Sequence, residues 1–377
     1  MDFSLAPEEE ALQAMLRDFS RKILKRDYQH WDTHGEFPRR HWEALGELGV
    51  LGVSMPEQYG GGGASSVAAG IAVEEVSRGD VNLGYSIVLN SLIGDILVRE
   101  AAASLLQEWL PTMFDGTRLA AIGVTEPQGG SDVGSIRTQV RTNPEGGLEL
   151  VGEKSGISLA AVADSAVVAV RESADVSLYA VSLHSSGVRR VPFDDLGNRP
   201  IGRGSLFFDH VPLREEQRIG PSGGGLRSVL TGFDFSRVLI ALQCVGAAEE
   251  SLDEAIAYAQ SRTAFGRSLA EFQGVSFTLA RRYAELEQLR WYCYRTLWLR
   301  DQGRSHATEA AICKWKGPQV ALAAIHDCLI LHGQYGYTRD LPLQQRLRDV
   351  MGLEIGDGTA NIQQMIIGQS LTGVRPR

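Results

Sequence analysis

A single carboxylate between two glycines is the side chain best placed to do chemistry in this sequence. The motif is Gly356-Asp357-Gly358-Thr359, and it separates two segments whose apolar residues recur at helical spacing. Because glycine has no Cβ, a flat molecule could approach the backbone of this turn closely, beside the Asp357 carboxylate. An aspartate before a glycine is more often a plain turn or helix-capping residue, so the motif alone does not establish a site.

Two other stretches carry groups that suit ligand binding. Residues 123–132 read Gly-Val-Thr-Glu-Pro-Gln-Gly-Gly-Ser-Asp, and the hydroxyls of Thr125 and Ser131 with the nearby N–H groups suit a planar heteroaromatic ring or a carbonyl. Residues 261–273 include Arg262, whose guanidinium suits a pyrophosphate. The simpler interpretations are a surface β-turn for the first stretch and a solvated loop, with Phe265 over a small core, for the second.

Composition narrows the class of protein. A chain of 377 residues predicts two or three domains, and a net charge of −9 argues against nucleic acid as the main partner. The four cysteines are scattered without a CxxC pair, which predicts reduced core thiols and no metal site. The first residues match no secretory or transit pattern, and no uninterrupted apolar run reaches membrane-spanning length. These features predict a cytoplasmic protein that contacts no membrane.

The hydrophobic periodicity of the chain changes from helical to strand-like and back to helical, which predicts three domains and an α+β fold. Residues 1–118 have helical periodicity, with stretches near 65–78 and 83–110. Residues 119–225 hold short β-type runs with no helices between them, which predicts a small antiparallel domain. Residues 226–377 return to long helical segments with short joints, as in a helix bundle. The segments expected there are 226–261, 270–301, 306–331, 341–354 and 359–371.

Taken together and in order, these motifs resemble the acyl-CoA dehydrogenase family of flavoproteins. The resemblance also rests on the opening residues 2–5, on Phe-Asp-Phe-Ser-Arg at 233–237, on residues 332–337 and on Arg348-Asp349. It covers essentially the whole chain. It implies an N-terminal helical domain, a middle β domain and a C-terminal four-helix bundle, assembled as a homotetramer. It also implies bound FAD between the β domain and the bundle.

The resemblance assigns roles to individual residues, with Asp357 as the catalytic base. The residues expected along the flavin are Ile122, Val124, Thr125, Gly130, Ser131, Ile157 and Ser158. Those expected at the FAD of a neighbouring subunit are Arg262, Phe272, Gln273 and Gln334, and Phe265 is counted among the cofactor-binding residues. Thr359 and Asn361 are expected near the pyrophosphate, at a helix N-terminus. The residues expected to contact the acyl-CoA are Ser131, Asp234, Arg237 and Gly358.

Three positions depart from the family pattern. Asp357 stands where the usual base is glutamate, so its carboxylate reaches less far by one methylene. Either the substrate lies closer, as a ring or branch at the α-carbon would require, or Asp357 is not the base. Gly156 replaces the usual aromatic near the flavin edge, and Gln334 replaces a glycine. Asp95 is a second acidic candidate, but we expect it to be an exposed helix charge.

The expected reaction is α,β-dehydrogenation of an acyl-CoA thioester, with electrons passed to an electron-transfer flavoprotein. Three alternatives stay open: a flavin oxidase or monooxygenase of the same fold, a dehydrogenase of a carrier-protein-bound acyl group, and a flavin-bearing protein without catalysis. The last class includes a nucleic-acid-binding offshoot of the family, against which the acidic net charge counts.

Overall fold

The computed structural model describes residues 4–374, and helices, strands and helices follow one another along it. Residues 1–3 and 375–377 lie outside the described residues, and with them part of the opening motif and the ends of the first and third predicted domains. The predicted α+β fold class is confirmed. The domain boundaries at 118/119 and 225/226 stay a prediction, although the secondary structure changes from helix to strand between Phe114 and Ala120.

The elements have the following bounds. The first helices are α1 (Pro7–Phe19), α2 (Lys25–His34), α3 (Arg39–Glu47), α4 (Ser66–Gly79), α5 (Val81–Glu100) and α6 (Ala103–Phe114), with a π-helical turn (Ser20–Leu24) between α1 and α2. The strands of the main sheet are β1 (Ala120–Gly123), β2 (Gln139–Thr142), β3 (Leu148–Ile157), β4 (Ser165–Glu172), β5 (Asp175–Ser182), β6 (Val188–Pro192), β7 (Gly204–Leu213) and β8 (Arg218–Ile219). The last part holds α7 (Gly225–Ser261), the short strands β9 (Thr263–Ala264) and β10 (Arg267–Ser268), α8 (Gln273–Asp301), α9 (Ala307–Leu331), α10 (Leu343–Gly352) and α11 (Ala360–Thr372).

Helix α5 is the innermost helix of the first part. Its N-terminus is capped by Asp80, whose carboxylate accepts the N–H of Asn82 at 2.8 Å and that of Leu83 at 3.1 Å. Every residue from Val81 to Leu97 is buried, because α4, α7 and β1 pack around the helix. A helix covered on all sides has no amphipathic pattern that would show which of its residues face a ligand.

Helix α7 runs antiparallel to α5 and touches it closely. The Gln243 side chain donates to the carbonyl of Val81 at 3.0 Å. About three turns earlier on α7 and further along α5, a Cβ at Gly232 would lie 2.7 Å from Cδ1 of Leu92. A larger residue at 232 would have to displace the ends of the Leu92 and Ile96 side chains, so the two helices lie close together there.

The sheet is mixed, which corrects the prediction of an antiparallel domain. Its strand order is β6-β7-β3-β2-β4-β5-β8, with β1 beside β4. Most neighbours are antiparallel, but β1 and β2 both pair parallel to β4. The connection from β1 to β4 includes β2 and β3, so it is long enough for the crossover that a parallel pair needs. The sequence shows strand runs but not which strands become neighbours.

One predicted helical stretch is also wrong. The stretch near 83–110 is not one helix, because Ala101 and Ala102 are extended and separate α5 from α6. The stretch predicted at about 341–354 corresponds to α10, and turns at residues 353–357 follow it. The carbonyl of Leu353, the C-cap of α10, accepts from the buried Lys314 ammonium at 2.8 Å.

Two helices, α5 and α7, are long and apolar enough to cross a membrane by length and composition, although polar residues interrupt the apolar sequence of both. In this fold 94% and 78% of their most apolar windows are buried inside the protein, so the chain itself covers them. The four cysteines are buried and free, which fits the prediction of core thiols. They are Cys244, Cys293, Cys313 and Cys328. Residues 4–374 contain no cluster of three potential metal ligands.

Candidate active site at the Asp357 turn

Asp357 lies in the turn between α10 and α11, and its carboxylate is half-buried. Its backbone has a φ of 53°, in the left-handed region that aspartate tolerates better than most residues. Gly358 follows with a φ of 95°, and Thr359 is the N-cap of α11. The predicted glycine-flanked turn and the helix N-terminus after it are therefore both present.

Three buried polar side chains hold the backbone of this turn. Lys314 Nζ donates to the carbonyl of Gly358 at 3.3 Å. The carbonyl of Asp357 accepts from Arg237 Nε at 3.3 Å and from Gln363 Nε2 at 3.1 Å. Burial lowers the pKa of Lys314, and the nearby Asp357 carboxylate opposes that shift. These contacts hold the backbone from which the Asp357 side chain projects.

The Asp357 carboxylate itself has one anchor. Ser236 is fully buried on α7, and its hydroxyl donates to Oδ2 of Asp357 at 2.7 Å. In the part of the chain that the structure describes, Oδ1 has no hydrogen-bond partner, and neither has the Asp357 backbone N–H. The turn therefore presents one unengaged carboxylate oxygen and one unengaged N–H donor in the same residue.

Tyr85 forms the wall opposite the turn. It comes from α5, is 8% exposed, and its hydroxyl lies 3.4 Å from Oγ of Ser158. A Cβ at Gly356 would lie 3.8 Å from the same hydroxyl. Burial, with a contribution from the Asp357 charge, raises the pKa of Tyr85 to about 12. The helical part, the sheet and the Asp357 turn therefore meet around one phenol.

The domain architecture matches known proteins. Family models for the N-terminal, middle and C-terminal domains of acyl-CoA dehydrogenases match residues 6–117, 121–211 and 223–372. The chain belongs to the acyl-CoA dehydrogenase family. Members of this family are FAD-dependent oxidoreductases that act on CH–CH bonds, which confirms the predicted enzyme class and cofactor.

Individual relatives match this family member along nearly its whole length. It is 31% identical to a probable acyl-CoA dehydrogenase of Bacillus subtilis strain 168, over 98% of this chain and 100% of the relative. Butyryl-CoA dehydrogenase from Megasphaera elsdenii superposes with a TM-score of 0.94 at 27% identity, covering 98% of this chain and 100% of that one. A chain from work on the electron transferring flavoprotein of Acidaminococcus fermentans has a TM-score of 0.95 at 26% identity, covering 99% and 100%.

The residues around the turn fit the family's FAD. A Cβ at Gly130 would meet nothing nearer than Thr125 Cγ2 at 4.0 Å, and a Cβ at Gly156 would meet Arg203 Nη2 at 3.5 Å, so both positions are open to a flat group. Gln363, in the first turn of α11, has a buried Oε1 with no partner among the described residues. The first N–H groups of α11 are free of intrahelical partners, as pyrophosphate binding requires.

The predicted flavin residues lie on β1, on the segment after it and at the end of β3. Val124 and Ile157 are buried, Ile122, Thr125 and Ser158 are half-buried, and Gly130 and Ser131 are exposed. The structure brings Ser158 next to Tyr85 and so to the Asp357 turn. Contact of each residue with FAD stays a prediction.

A buried ion pair holds the segment after β1. Lys154 Nζ donates to Oε1 of Glu126 at 2.8 Å and to the carbonyl of Val124 at 3.0 Å, and Lys154 is 0% exposed. The Glu126 carboxylate also accepts backbone N–H groups from Arg137 at 2.6 Å and Thr138 at 2.9 Å. Burial alone would raise the pKa of Glu126, but these donors lower it to about 2.

The residues predicted at a neighbouring subunit's FAD lie far from Asp357. Arg262 is the C-cap of α7, 26 residues after Ser236, which corresponds to roughly 39 Å of helix. Arg262, Phe265, Gln273, Gln334 and Asn361 are exposed, and Phe272 is half-buried. One protomer therefore does not bring Arg262 to its own Asp357 turn. The role of Arg262, Phe272, Gln273 and Gln334 at a neighbouring subunit's FAD stays a prediction.

The prediction that Asp95 is an exposed helix charge is wrong, since the residue is only 7% exposed. Its Oδ1 accepts from Arg300 Nη2 at 2.6 Å, and its Oδ2 accepts from Arg99 Nε at 3.1 Å. Arg300 also packs over the ring of Phe235 at 4.1 Å. Both carboxylate oxygens are engaged, so Asp95 is a structural ion pair and not a second base.

The two residues on α7 that are predicted to contact acyl-CoA, Asp234 and Arg237, form an ion pair with each other. Arg237 Nη1 pairs with Asp234 Oδ1 at 3.0 Å, while Nε holds the Asp357 carbonyl. Burial raises the pKa of Asp234, with Arg237 opposing it, and lowers the pKa of Arg237. Arg237 therefore connects α7 to the Asp357 turn through a hydrogen bond. Its predicted contact with the acyl-CoA stays a prediction.

Sequence reasoning missed Ser236, Tyr85, Lys314, Lys154 and Gln363. Ser236 stood inside a quoted motif, and Lys154 is a lone cation in a strand, which is a usable signal. Tyr85 lies in a helix that is apolar throughout, and Lys314 and Gln363 resemble ordinary helix residues. No local pattern distinguishes those three.

Proposed function

We propose that this family member catalyses the FAD-dependent α,β-dehydrogenation of an acyl-CoA thioester, with Asp357 as the base that removes the α-proton. One observation carries the proposal. The Asp357 carboxylate is anchored through one oxygen by Ser236 at 2.7 Å, and its other oxygen and its backbone N–H are unengaged among the described residues. A base and a hydrogen-bond donor in one residue are what deprotonation next to a carbonyl requires.

Each part of the site has a task in this reaction. The Asp357 N–H donates to the thioester carbonyl as charge develops there, and Oδ1 takes the proton from the adjacent carbon. FAD, when bound, supplies the acceptor for the hydride from the β-carbon. Gly358 and Ser131 are the residues that would contact the thioester arm, and Thr359 and Asn361 would offer a helix N-terminus to the pyrophosphate.

The short side chain of Asp357 places a condition on the substrate. With aspartate as the base, the reacting carbon must lie closer to the turn by roughly 1.3 Å than it would with glutamate. Gly356 leaves space beside Asp357, since the nearest group to a Cβ there is the Tyr85 hydroxyl at 3.8 Å. This arrangement supports a substrate with a branch or ring near the α-carbon.

We further propose an electron-transfer flavoprotein as the acceptor, a homotetrameric assembly and a cytoplasmic location. The similar chain from work on an electron transferring flavoprotein supports the acceptor. The exposed cofactor residues at the far end of α7 support an assembly in which subunits complete each other's sites.

The test is anaerobic bleaching of the bound flavin. Purified protein should be yellow, and butyryl-, isobutyryl- or cyclohexanecarboxyl-CoA should remove its absorbance near 450 nm (about the usual flavin maximum). Electron-transfer flavoprotein should then restore the colour faster than air does. A protein that takes up no FAD, or whose flavin no thioester reduces, contradicts the proposal. Fast recovery with O₂ identifies an oxidase, and reduction only by carrier-protein thioesters identifies that substrate class.

Replacing Ser236 by alanine should slow flavin reduction by roughly tenfold or more, since hydrogen bonds to charged groups contribute about 1.5–3 kcal/mol. The affinity for butyryl-CoA should change little, because Ser236 contacts the base and not the thioester. Stopped-flow bleaching at saturating and subsaturating substrate separates the two effects. Ser236→Thr keeps the hydroxyl and should restore most of the rate. An alanine variant that bleaches at the wild-type rate would show that Asp357 needs no anchor.

A further inference from the structure

We propose that Arg203 presents a positive charge to the edge of the bound flavin and stabilises the negative charge that the flavin gains on reduction. The inference rests on the proposed dehydrogenation, because hydride transfer from the β-carbon is what places that charge on the flavin. Arg203 is then a cofactor-contacting residue outside the Asp357 turn, and its effect can be measured without substrate.

The proposed reaction determines which side of the site the flavin borders. The α-proton goes to Asp357 and the hydride leaves from the neighbouring β-carbon, so the ring that accepts the hydride must lie within about 3–3.5 Å of that carbon. The Tyr85 hydroxyl beside this turn lies 3.8 Å from an added Cβ at Gly356 and 3.4 Å from Oγ of Ser158. Ser158 directly follows β3, so we place the ring against the end of that strand.

An opening in the backbone lies just before Ser158. Strand β3 has a register shift against β7 between Lys154 and Ile157, and Gly156 lies within it with a φ of 70°. A side chain is strained at this φ, and an added Cβ would meet no atom nearer than Arg203 Nη2, at 3.5 Å. Irregularities of this kind are frequent beside active sites, because they end the regular pairing of a strand. The space that a side chain at 156 would fill is therefore bordered by a guanidinium.

The backbone on both sides of Arg203 is fixed. Gly202 has a φ of 61°, and an added Cβ at Gly204 would overlap the carbonyl of Val191. The carbonyl of Arg203 accepts the N–H of Phe193 at 2.8 Å, which connects this residue to the segment after β6. The guanidinium therefore projects from a backbone position that the neighbouring strands determine.

Among the described residues, only one nitrogen of this guanidinium has a hydrogen-bond partner. Nη1 of Arg203 donates to Oδ1 of Asp195 at 3.0 Å, whereas Nη2 and Nε have no partner in residues 4–374. Nη2 is the nitrogen that lies beside Gly156, so the ion pair holds the group with an unengaged nitrogen at the opening. The N–H groups of Nη2 and Nε are therefore available to a ligand.

The electrostatic effect of Arg203 reaches the proposed active site. Burial raises the pKa of Tyr85 to about 12, the Asp357 charge adds to this rise, and the Arg203 charge opposes it. The same phenol is therefore close to both the proposed base and this cation. The Arg203 side chain is 36% exposed, so water screens part of its charge, and we expect a moderate effect on a ring beside it.

A cation at this position matches the charge change of the reaction. Hydride transfer adds two electrons and one proton to the flavin ring, so the reduced ring carries one negative charge until a second proton arrives. A nearby positive charge stabilises this anion relative to the neutral oxidised ring. Arg203 should therefore raise the midpoint potential of the bound flavin. A guanidinium suits this task because it stays protonated at every working pH.

The experiment measures the midpoint potential of the bound FAD in the wild type and in Arg203→Gln, by anaerobic reduction against a reference dye without substrate. Arg203→Gln should lower the equilibrium constant of two-electron reduction by at least about tenfold, which is about 30 mV. Arg203→Lys keeps a positive charge and should retain most of the wild-type potential. Arg214→Gln is the matched control. It removes the same charge from an exposed position beyond the far end of β7, roughly 36 Å of strand away, and should leave the potential unchanged.

Asp195→Asn separates the effect of the charge from that of the ion pair. Removing the carboxylate that partly neutralises Arg203 should raise the midpoint potential, which is the opposite direction to Arg203→Gln. If Arg203 only holds Asp195 in place, both variants lower the urea midpoint and neither changes the potential. The Asp195 variant also decides the question if Arg203→Gln does not retain FAD.

A wild-type potential in Arg203→Gln, or a potential that does not rise in Asp195→Asn, overturns the inference. A flavin whose potential responds to both substitutions, but which no acyl-CoA bleaches, contradicts the proposed function alone. Bleaching by acyl-CoA with an unchanged potential in both variants contradicts the role of Arg203 alone.

Discussion

Asp357→Asn is expected to keep FAD and to lose about 100- to 10,000-fold in the rate of flavin reduction by acyl-CoA, the range that a general base contributes. Asparagine has the same shape, so Ser236 can still donate to its amide oxygen, and the clamps on the turn are backbone contacts that the change leaves intact. What disappears is the carboxylate that accepts the α-proton. The loss should therefore appear in the reduction step and not in cofactor content.

The measurement is stopped-flow bleaching with butyryl-CoA under anaerobic conditions, with FAD content read from absorbance after gel filtration. Glu354→Gln is a matched control, since Glu354 is an exposed carboxylate in the same turn. That variant should bleach at the wild-type rate. Asp357→Glu lengthens the base by one methylene and reports on geometry, because a shift near 1 Å costs on the order of 100-fold. Bleaching that persists in Asp357→Asn would remove Asp357 from the role of base.

Lys154→Met is expected to have the largest effect on stability. It leaves the buried Glu126 carboxylate without its cation, and breaking a buried pair from one side costs about 3–5 kcal/mol. The segment after β1 loses its anchor, and this segment carries Thr125, Gly130 and Ser131. FAD should therefore be lost more readily as well.

Urea unfolding at pH 7 and FAD retention on gel filtration measure both effects. Lys154→Met combined with Glu126→Gln should recover part of the stability, because no charge is then left buried. Lys22→Met removes a lysine from the exposed pair with Asp18 and should leave the unfolding midpoint unchanged. A single Lys154 variant as stable as the wild type would show that the pair does not hold the segment.

The same pair predicts a pH dependence. The pKa of Glu126 is lowered to about 2 from an ordinary value of 4.5. A depressed carboxyl pKa contributes stability that is present above about pH 4.5 and is lost as the pH falls toward 2. The stability difference between the wild type and Lys154→Met should therefore be largest near neutral pH and should shrink below about pH 4.

Much of the architecture could be predicted from local patterns. Periodicity of 3.6 and of 2 residues separated helices from strands, and the order of motifs indicated the family before any contact was known. The turn at Asp357 was predictable because two glycines around one aspartate determine a local backbone conformation. Each of these signals involves residues that are neighbours in sequence.

Strand neighbours and helix ends were less predictable. The parallel pairing of β1 with β4 depends on where a long connection returns, and the break between α5 and α6 falls at two alanines, which have no sequence signal for a helix end. Asp95 was misjudged for the same reason, since Arg300 reaches it from 205 residues away. Local spacing contains no information about such partners.

By itself, then, the sequence determined the class of fold, the family and the cofactor, and it indicated Asp357 as the carboxylate that we propose as the base. The tertiary structure decided what surrounds that carboxylate: Ser236 arrives from 121 residues away, and Tyr85 arrives from a helix that is apolar on every side. The physical reason is that backbone conformation responds to adjacent residues, whereas hydrogen-bond anchors and pocket walls form only when distant helices pack.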